Sequence, residues 1–152
     1  MERGAVLSTR RALLLFVLLC GAAWSFAASQ SVVLVVRADS NVVNLDPLAV
    51  RKLFLGVPVL VNGTPLRAIR NRSDAQLDQI FLQDIVAMSQ SAYDRRILTG
   101  INRQGWLPPL EVPSTARVLE KVYADPNMVT FVWERDVAHD PKVRIIRVLW
   151  TD

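Results

Sequence analysis

The sequence holds one histidine and one cysteine in 152 residues. That scarcity excludes a His-rich or Cys-rich zinc site and any disulfide within the chain, and leaves a His-assisted nucleophilic triad little to draw on. Basic residues are scattered as well. No run of five or more occurs, there is no internal repeat or low-complexity stretch, and nothing in the charge pattern asks for a nucleic-acid partner. What the chain does have is apolar material, 51% of residues against 21% charged, and the first of it forms a processing signal.

Arg3, Arg10 and Arg11 precede an apolar run from Ala12 to Leu19, after which small residues lead to Ser25-Phe26-Ala27. Small side chains at the two positions a signal peptidase reads predict cleavage after Ala27, export across a membrane and a periplasmic location. The plainer alternative is an uncleaved anchor, but Gly21 interrupts the run, which falls short of the roughly 20 residues a bilayer requires. Leu19 is too large for the residue before a lipidated cysteine, so Cys20 reads as part of the signal's apolar core. Thr9-Arg10-Arg11 with Ala12-Leu13-Leu14 fits a twin-arginine route as well as the general one. Residues 28–152 are then one mature domain of 125 residues without cysteine, and losing three Arg and one Glu lowers the formal charge from +4 to +2. A chain of that size buries roughly two-thirds of its unfolded surface, enough for one core.

The mature part alternates strand and helix signals. Val32 to Val36 is an unbroken apolar, β-branched run, the pattern of a central strand covered on both faces. Asp46-Pro47 offers an N-cap and a first-position proline to a short helix that Gly56 and Pro58 stop. Asn62-Gly63 marks a tight turn, and Leu66 to Arg70 is a weaker strand. Ser73-Asp74-Ala75-Gln76 fits a capping box, followed by Leu77, Ile80, Phe81, Ile85 and Met88 at helical spacing, a stripe that belongs against a core. A further helix over residues 91–99 is expected to end at Gly100. From Ile101 to Pro113 the glycine and prolines read as a long connection, with Trp106 a packing anchor. Ser114 is expected to cap a helix reaching Ala124, and Asp125-Pro126-Asn127 turns the chain into a strand from Met128 to Trp133. Lys142 to Trp150 is a last strand, with a register slip at Ile146. The fold class this predicts is α/β, a mixed sheet flanked by helices.

Candidate chemistry is anion binding rather than catalysis. Arg70, Asn71, Arg72 and Ser73 leave a strand and enter a capped helix, so two guanidiniums, a hydroxyl and free backbone N–H groups are placed to meet an oxyanion. In the plainer alternative Ser73 only caps, both arginines pair with surface carboxylates, and Asp74 fills the field an anion would use. His139 falls in a turn. Asp78, Asp84, Asp94 and Glu120 fall on the outward sides of helical patterns and read as solvated. Nothing here calls for an enzyme, a metal or a cofactor.

Several segments, in order, resemble a known family. They are the opening strand Val32 to Val36, Leu45 with Val50-Arg51-Lys52-Leu53-Phe54-Leu55-Gly56, Leu66 to Arg72, and Phe81. Arg96-Ile97-Leu98-Thr99-Gly100, Pro108-Pro109 and Val118 to Val132 follow. Together they resemble the short phosphate-binding-like proteins related to the substrate-binding component of phosphate ABC importers, a branch of the type 2 periplasmic-binding-protein fold. The resemblance implies one lobe of such a protein, with phosphate or another small oxyanion as ligand and a membrane transporter or sensor protein as partner. It also implies a weakened site. Where the family carries a Ser-Gly-Thr run this chain has Ala75-Gln76-Leu77, and Pro126 to Phe131 keeps the family's turn and strand without its glycines. One lobe leaves a bound oxyanion incompletely enclosed. Two readings follow from this, an exported solute-binding-like domain with weak oxyanion binding at Arg70 to Ser73, and a non-catalytic interaction or sensory module that kept the fold and lost the ligand site.

Overall fold

The apolar run Val32 to Val36 is buried on both faces. It forms strand β1 (Ser31–Arg37) in the computed structural model, which describes residues 29–152. The signal segment assigned to residues 1–27 lies outside the described residues. β1 is followed by helix α1 (Pro47–Phe54), the hairpin β2 (Leu60–Val61) and β3 (Thr64–Pro65), and strand β4 (Arg67–Asn71). Next come α2 (Ala75–Ile80), a π-helical turn (Phe81–Ile85), α3 (Gln90–Gln104), β5 (Leu110–Val112), α4 (Thr115–Ala124), β6 (Met128–Trp133) and β7 (Val143–Thr151). The main sheet has the order β5-β4-β6-β1-β7. β4 runs parallel to β5 and β6, whereas β1 is antiparallel to β6 and β7.

The sheet is mixed, with helices on both faces, as the alternating pattern predicts. β1 is interior, but the middle place belongs to β6, because an unbroken apolar run reports two covered faces and says nothing of position. Its side chains alternate between two cores. Val32, Leu34 and Val36 pack with residues of α1, α2, the π-helical turn and α3, and Val33 and Val35 with Val118 and Val122 of α4. Across the first core Phe54, Phe81, Phe131 and Tyr93 form an aromatic cluster, with Phe81 and Phe131 stacked at 5.1 Å and the other pairs edge-on.

Local signals place most of the elements. Asp46 caps α1 by accepting from the Ala49 N–H at 2.8 Å, with Pro47 at the first position. Asn62 and Gly63 both take positive φ, as the two-residue β2–β3 turn requires. The slip predicted near Ile146 is present, and Leu149 is passed over in the same way, so β7 pairs with β1 through two irregularities. Such irregularities blunt an edge strand against pairing with another chain.

Three expectations are corrected. The helix over residues 91–99 begins at Gln90, capped by the Ser89 hydroxyl, and continues to Gln104; Gly105, with φ of 65°, ends it in the left-handed conformation. Gly100 is instead a buried helical residue under the Trp106 ring. The supposed connection from Ile101 to Pro113 therefore opens as helix and closes as edge strand β5, whose three residues are too few for a readable alternation. The stripe from Leu77 to Met88 is not one α-helix, since the backbone widens at Phe81, where the Val86 N–H reaches the Phe81 carbonyl.

A methyl group at Gly100 would lie 2.6 Å from Cε3 of Trp106. Gly100→Ala should therefore displace the ring and lower stability by about 1–3 kcal/mol in urea titration; an unchanged midpoint would show that Trp106 is not held there.

Candidate functional site

Parallel strands β4, β5 and β6 all end at one edge of the sheet, and α2 and α4 start from the first two of these ends. Crevices outside such strand ends are where open α/β sheets take ligands. The four residues singled out from the sequence lie here, but alternation along β4 splits them into two pairs. Arg70 and Arg72 point to one face of the sheet, Asn71 and Ser73 to the other.

Arg70 has no exposed side-chain surface. Its Nε and one terminal nitrogen donate to the same Asp78 oxygen at 3.1 and 2.8 Å, and that terminal nitrogen also donates to Gln90 Oε1 at 2.7 Å. The other terminal nitrogen donates to Glu111 at 3.1 Å. The guanidinium carbon lies 4.6 Å from the centre of the Phe81 ring and 4.8 Å from that of Tyr93, within cation–π range. Glu111 stands directly across from Arg70 in the β4–β5 register, and its second oxygen accepts from Arg72 at 3.1 Å. The Glu111 hydrogen bond raises the pKa of Arg72. Two cations and two carboxylates thus form a cluster with no formal net charge.

On the other face, the Asn71 amide donates to the Phe131 carbonyl, and its oxygen accepts from the Ser73 N–H at 3.1 Å. The Ser73 and Thr115 hydroxyls lie 2.8 Å apart, which joins the start of α2 to the start of α4. The expected capping box is not formed. Asp74 is the N-cap, accepting from the N–H groups of Gln76 and Leu77 at 2.7 and 3.1 Å, while its other oxygen accepts from Trp133 Nε1 at 3.3 Å. Asp and Ser cap about equally well, and the charge of Asp74 adds a favourable interaction with the same N–H groups. The Leu77 N–H chiefly holds the Asp74 carboxyl below its usual pKa, opposed by partial burial and helped by Gln76 and Trp133.

Asp78 is a further correction. Read as a solvated helix residue, it is 20% exposed and holds Arg70. The pattern on α2 gave its angular position, but only the tertiary fold puts a buried cation on that side. Glu111, Gln90 and Thr115 were not singled out at all. Glu111 lies in the segment read as connection, Thr115 opens the helix expected after Ser114, and Gln90 opens a helix whose start was set one residue late. His139 is exposed in a turn, as expected. Among the described residues no group of three or more His, Cys, Asp or Glu is placed to hold a metal ion.

No family model and no curated protein matches the chain. Solved structures do match in fold. A Clostridium perfringens protein assigned as a phosphate ABC transporter substrate-binding protein, solved with bound phosphate, aligns with 78% of this chain at a TM-score of 0.58 and 11% identity. PstS from Borrelia burgdorferi aligns with 78% at a TM-score of 0.55 and 12% identity. This chain has a PstS-like fold. It spans less than half of those proteins, 45% and 47% of the two chains.

Arg70→Met should cost about 3–5 kcal/mol, since it strands Asp78 and Glu111 near the core, whereas Arg72→Ala, on a half-exposed pair, should cost ~1 kcal/mol or less. Denaturant titration of both variants checks the ordering. For Asp74 the folded pKa is depressed, so its contribution is present above the unfolded value and is lost as pH falls through the folded one. Asp74→Ala should therefore cost about 1 kcal/mol at neutral pH, with the gap to wild type closing in thermal melts taken in strong acid.

Proposed function

We propose that the chain is an exported, non-catalytic solute-binding-like domain. It takes phosphate or another small oxyanion weakly, at Arg72 and Ser73 above the buried Arg70 and Asn71, and presents it to a membrane transporter or sensor protein. The observation that carries this reading is the placement of Arg72 on one face, and of the paired Ser73 and Thr115 hydroxyls on the other, at the carboxyl ends of parallel β4 and β5, where two helices begin. Arg72 is 44% exposed and can turn from Glu111 to a ligand, and the Ser73 and Thr115 hydroxyls can donate to it. Fold likeness to substrate-binding proteins supports the same reading. Weakness follows from charge. Asp78 and Glu111 already neutralise the arginines, and Arg72 is half-exposed to water, where charge-assisted bonds are worth least.

Isothermal titration of residues 28–152 with phosphate, sulfate and small carboxylates should give dissociation constants on the order of millimolar for at least one of them. Arg72→Ala should abolish that heat. Absence of binding by all of them at tens of millimolar would remove this reading.

The second reading is a module that acts through a protein surface. Leu98, Leu107 and Leu110 are 58%, 62% and 40% exposed around the free edge of β5, beside a groove of about 440 Å³ lined by Ile97, Ile101, Pro108 and Pro109. Grouped exposed apolar residues mark contact surfaces more often than isolated ones do. On this reading the wild-type domain recovers a specific envelope protein in a pull-down and Leu98→Asp does not.

A further inference from the structure

The two carboxylates that hold Arg70 are not equivalent. Asp78 comes from α2, is mostly buried and accepts from two guanidinium nitrogens with one oxygen. Glu111 accepts a single bond from Arg70, is 46% exposed, and shares its other oxygen with the exposed Arg72. It stands on β5, an edge strand of three residues paired on one side only. Short edge segments of this kind open at low cost. The outermost position on the Arg70–Arg72 pair is therefore held by an oxyanion that belongs to the protein, attached to a short edge strand.

We propose that Glu111 is a built-in competitor for the oxyanion site. Its carboxylate occupies the place on Arg70 and Arg72 that a ligand's oxygens take, so binding is an exchange of one anion for another and not the filling of an empty site. The inference rests on the oxyanion reading above and deepens it. Geometry supports the exchange, because a carboxylate bridging two guanidiniums with one oxygen on each presents the same pair of acceptors as two oxygens of a tetrahedral phosphate or sulfate. Asp78 stays in place and keeps Arg70 paired while Glu111 swings into solvent, so no buried cation is stranded during the exchange. Glu111 thereby sets both the affinity and the ligand charge that is accepted. A doubly charged oxyanion gains most from its removal.

The test is isothermal titration of inorganic phosphate and of sulfate into wild type, Glu111→Gln and Glu111→Ala, with thermal melts to confirm folding. The exposed position makes both variants tolerable, and the alanine variant covers the case in which a glutamine amide stays in the site. Removing the competing charge should tighten phosphate binding by about tenfold or more, the range spanned by one charge-assisted hydrogen bond, and adding Arg72→Ala to Glu111→Gln should cancel the gain. Wild-type binding with no tightening in either folded variant would overturn the proposal and leave the oxyanion reading standing. Binding by the variants alone would uphold Glu111 as the competitor and overturn the reading that the native chain binds the oxyanion. Silence from all three proteins would overturn both.

Discussion

A guanidinium with no exposed surface must find its counter-charges inside the protein, and Arg70 on β4 imposes that condition on much of the fold. Its partners come from α2, α3 and β5, and the rings beneath it from the π-helical turn and α3. None of these contacts is local in sequence except the one to Asp78. Placing the charge therefore fixes where α2 starts, which face α3 presents and in what register β5 joins the sheet. Buried ion pairs of this kind contribute little net stability over apolar packing, but losing one partner is expensive. The cluster specifies an arrangement more than it strengthens one.

That condition also sets the charge at the strand ends, where the proposed oxyanion site lies. One solved protein of the same fold holds phosphate; in this chain the two arginines at the end of β4 are already paired with Asp78 and Glu111. On the proposed reading, attraction for an incoming oxyanion is limited to what Arg72, Ser73 and Thr115 offer at the surface. Asp78 and Glu111 cancel the formal charge of the two arginines.

Much of the architecture was legible in the sequence, for reasons that differ by element. β1 and β6 announce themselves by unbroken apolar runs, α1 by Asp46-Pro47, and the hairpin by Asn62-Gly63, all of which are local signals. β5 was invisible because Leu110-Glu111-Val112 is too short to show a period and sits among prolines. The end of α3 was misplaced because Gly100 looks like a stop, whereas it is there to admit the Trp106 ring, a requirement that only the packed structure reveals. The site was legible in part. Arg70 to Ser73 were found from their place between strand and helix, but alternation along β4 separates them into two pairs. The partners that decide the chemistry, Asp78 and Glu111, were respectively misread and overlooked, since an acidic residue on a helix or beside a proline looks solvated until a buried cation is placed against it.

The central claim is that Arg70 is locked inside the protein by its own carboxylates. Nitrogen-15 and proton NMR of the arginine side chains tests this most directly, because an Nε–H held by a buried carboxylate is shielded from exchange with water. The account predicts one slowly exchanging, shifted Nε–H resonance, assigned to Arg70 by its loss in Arg70→Met, that persists in saturating phosphate. An Arg70 Nε–H that exchanges as fast as those of surface arginines would contradict it.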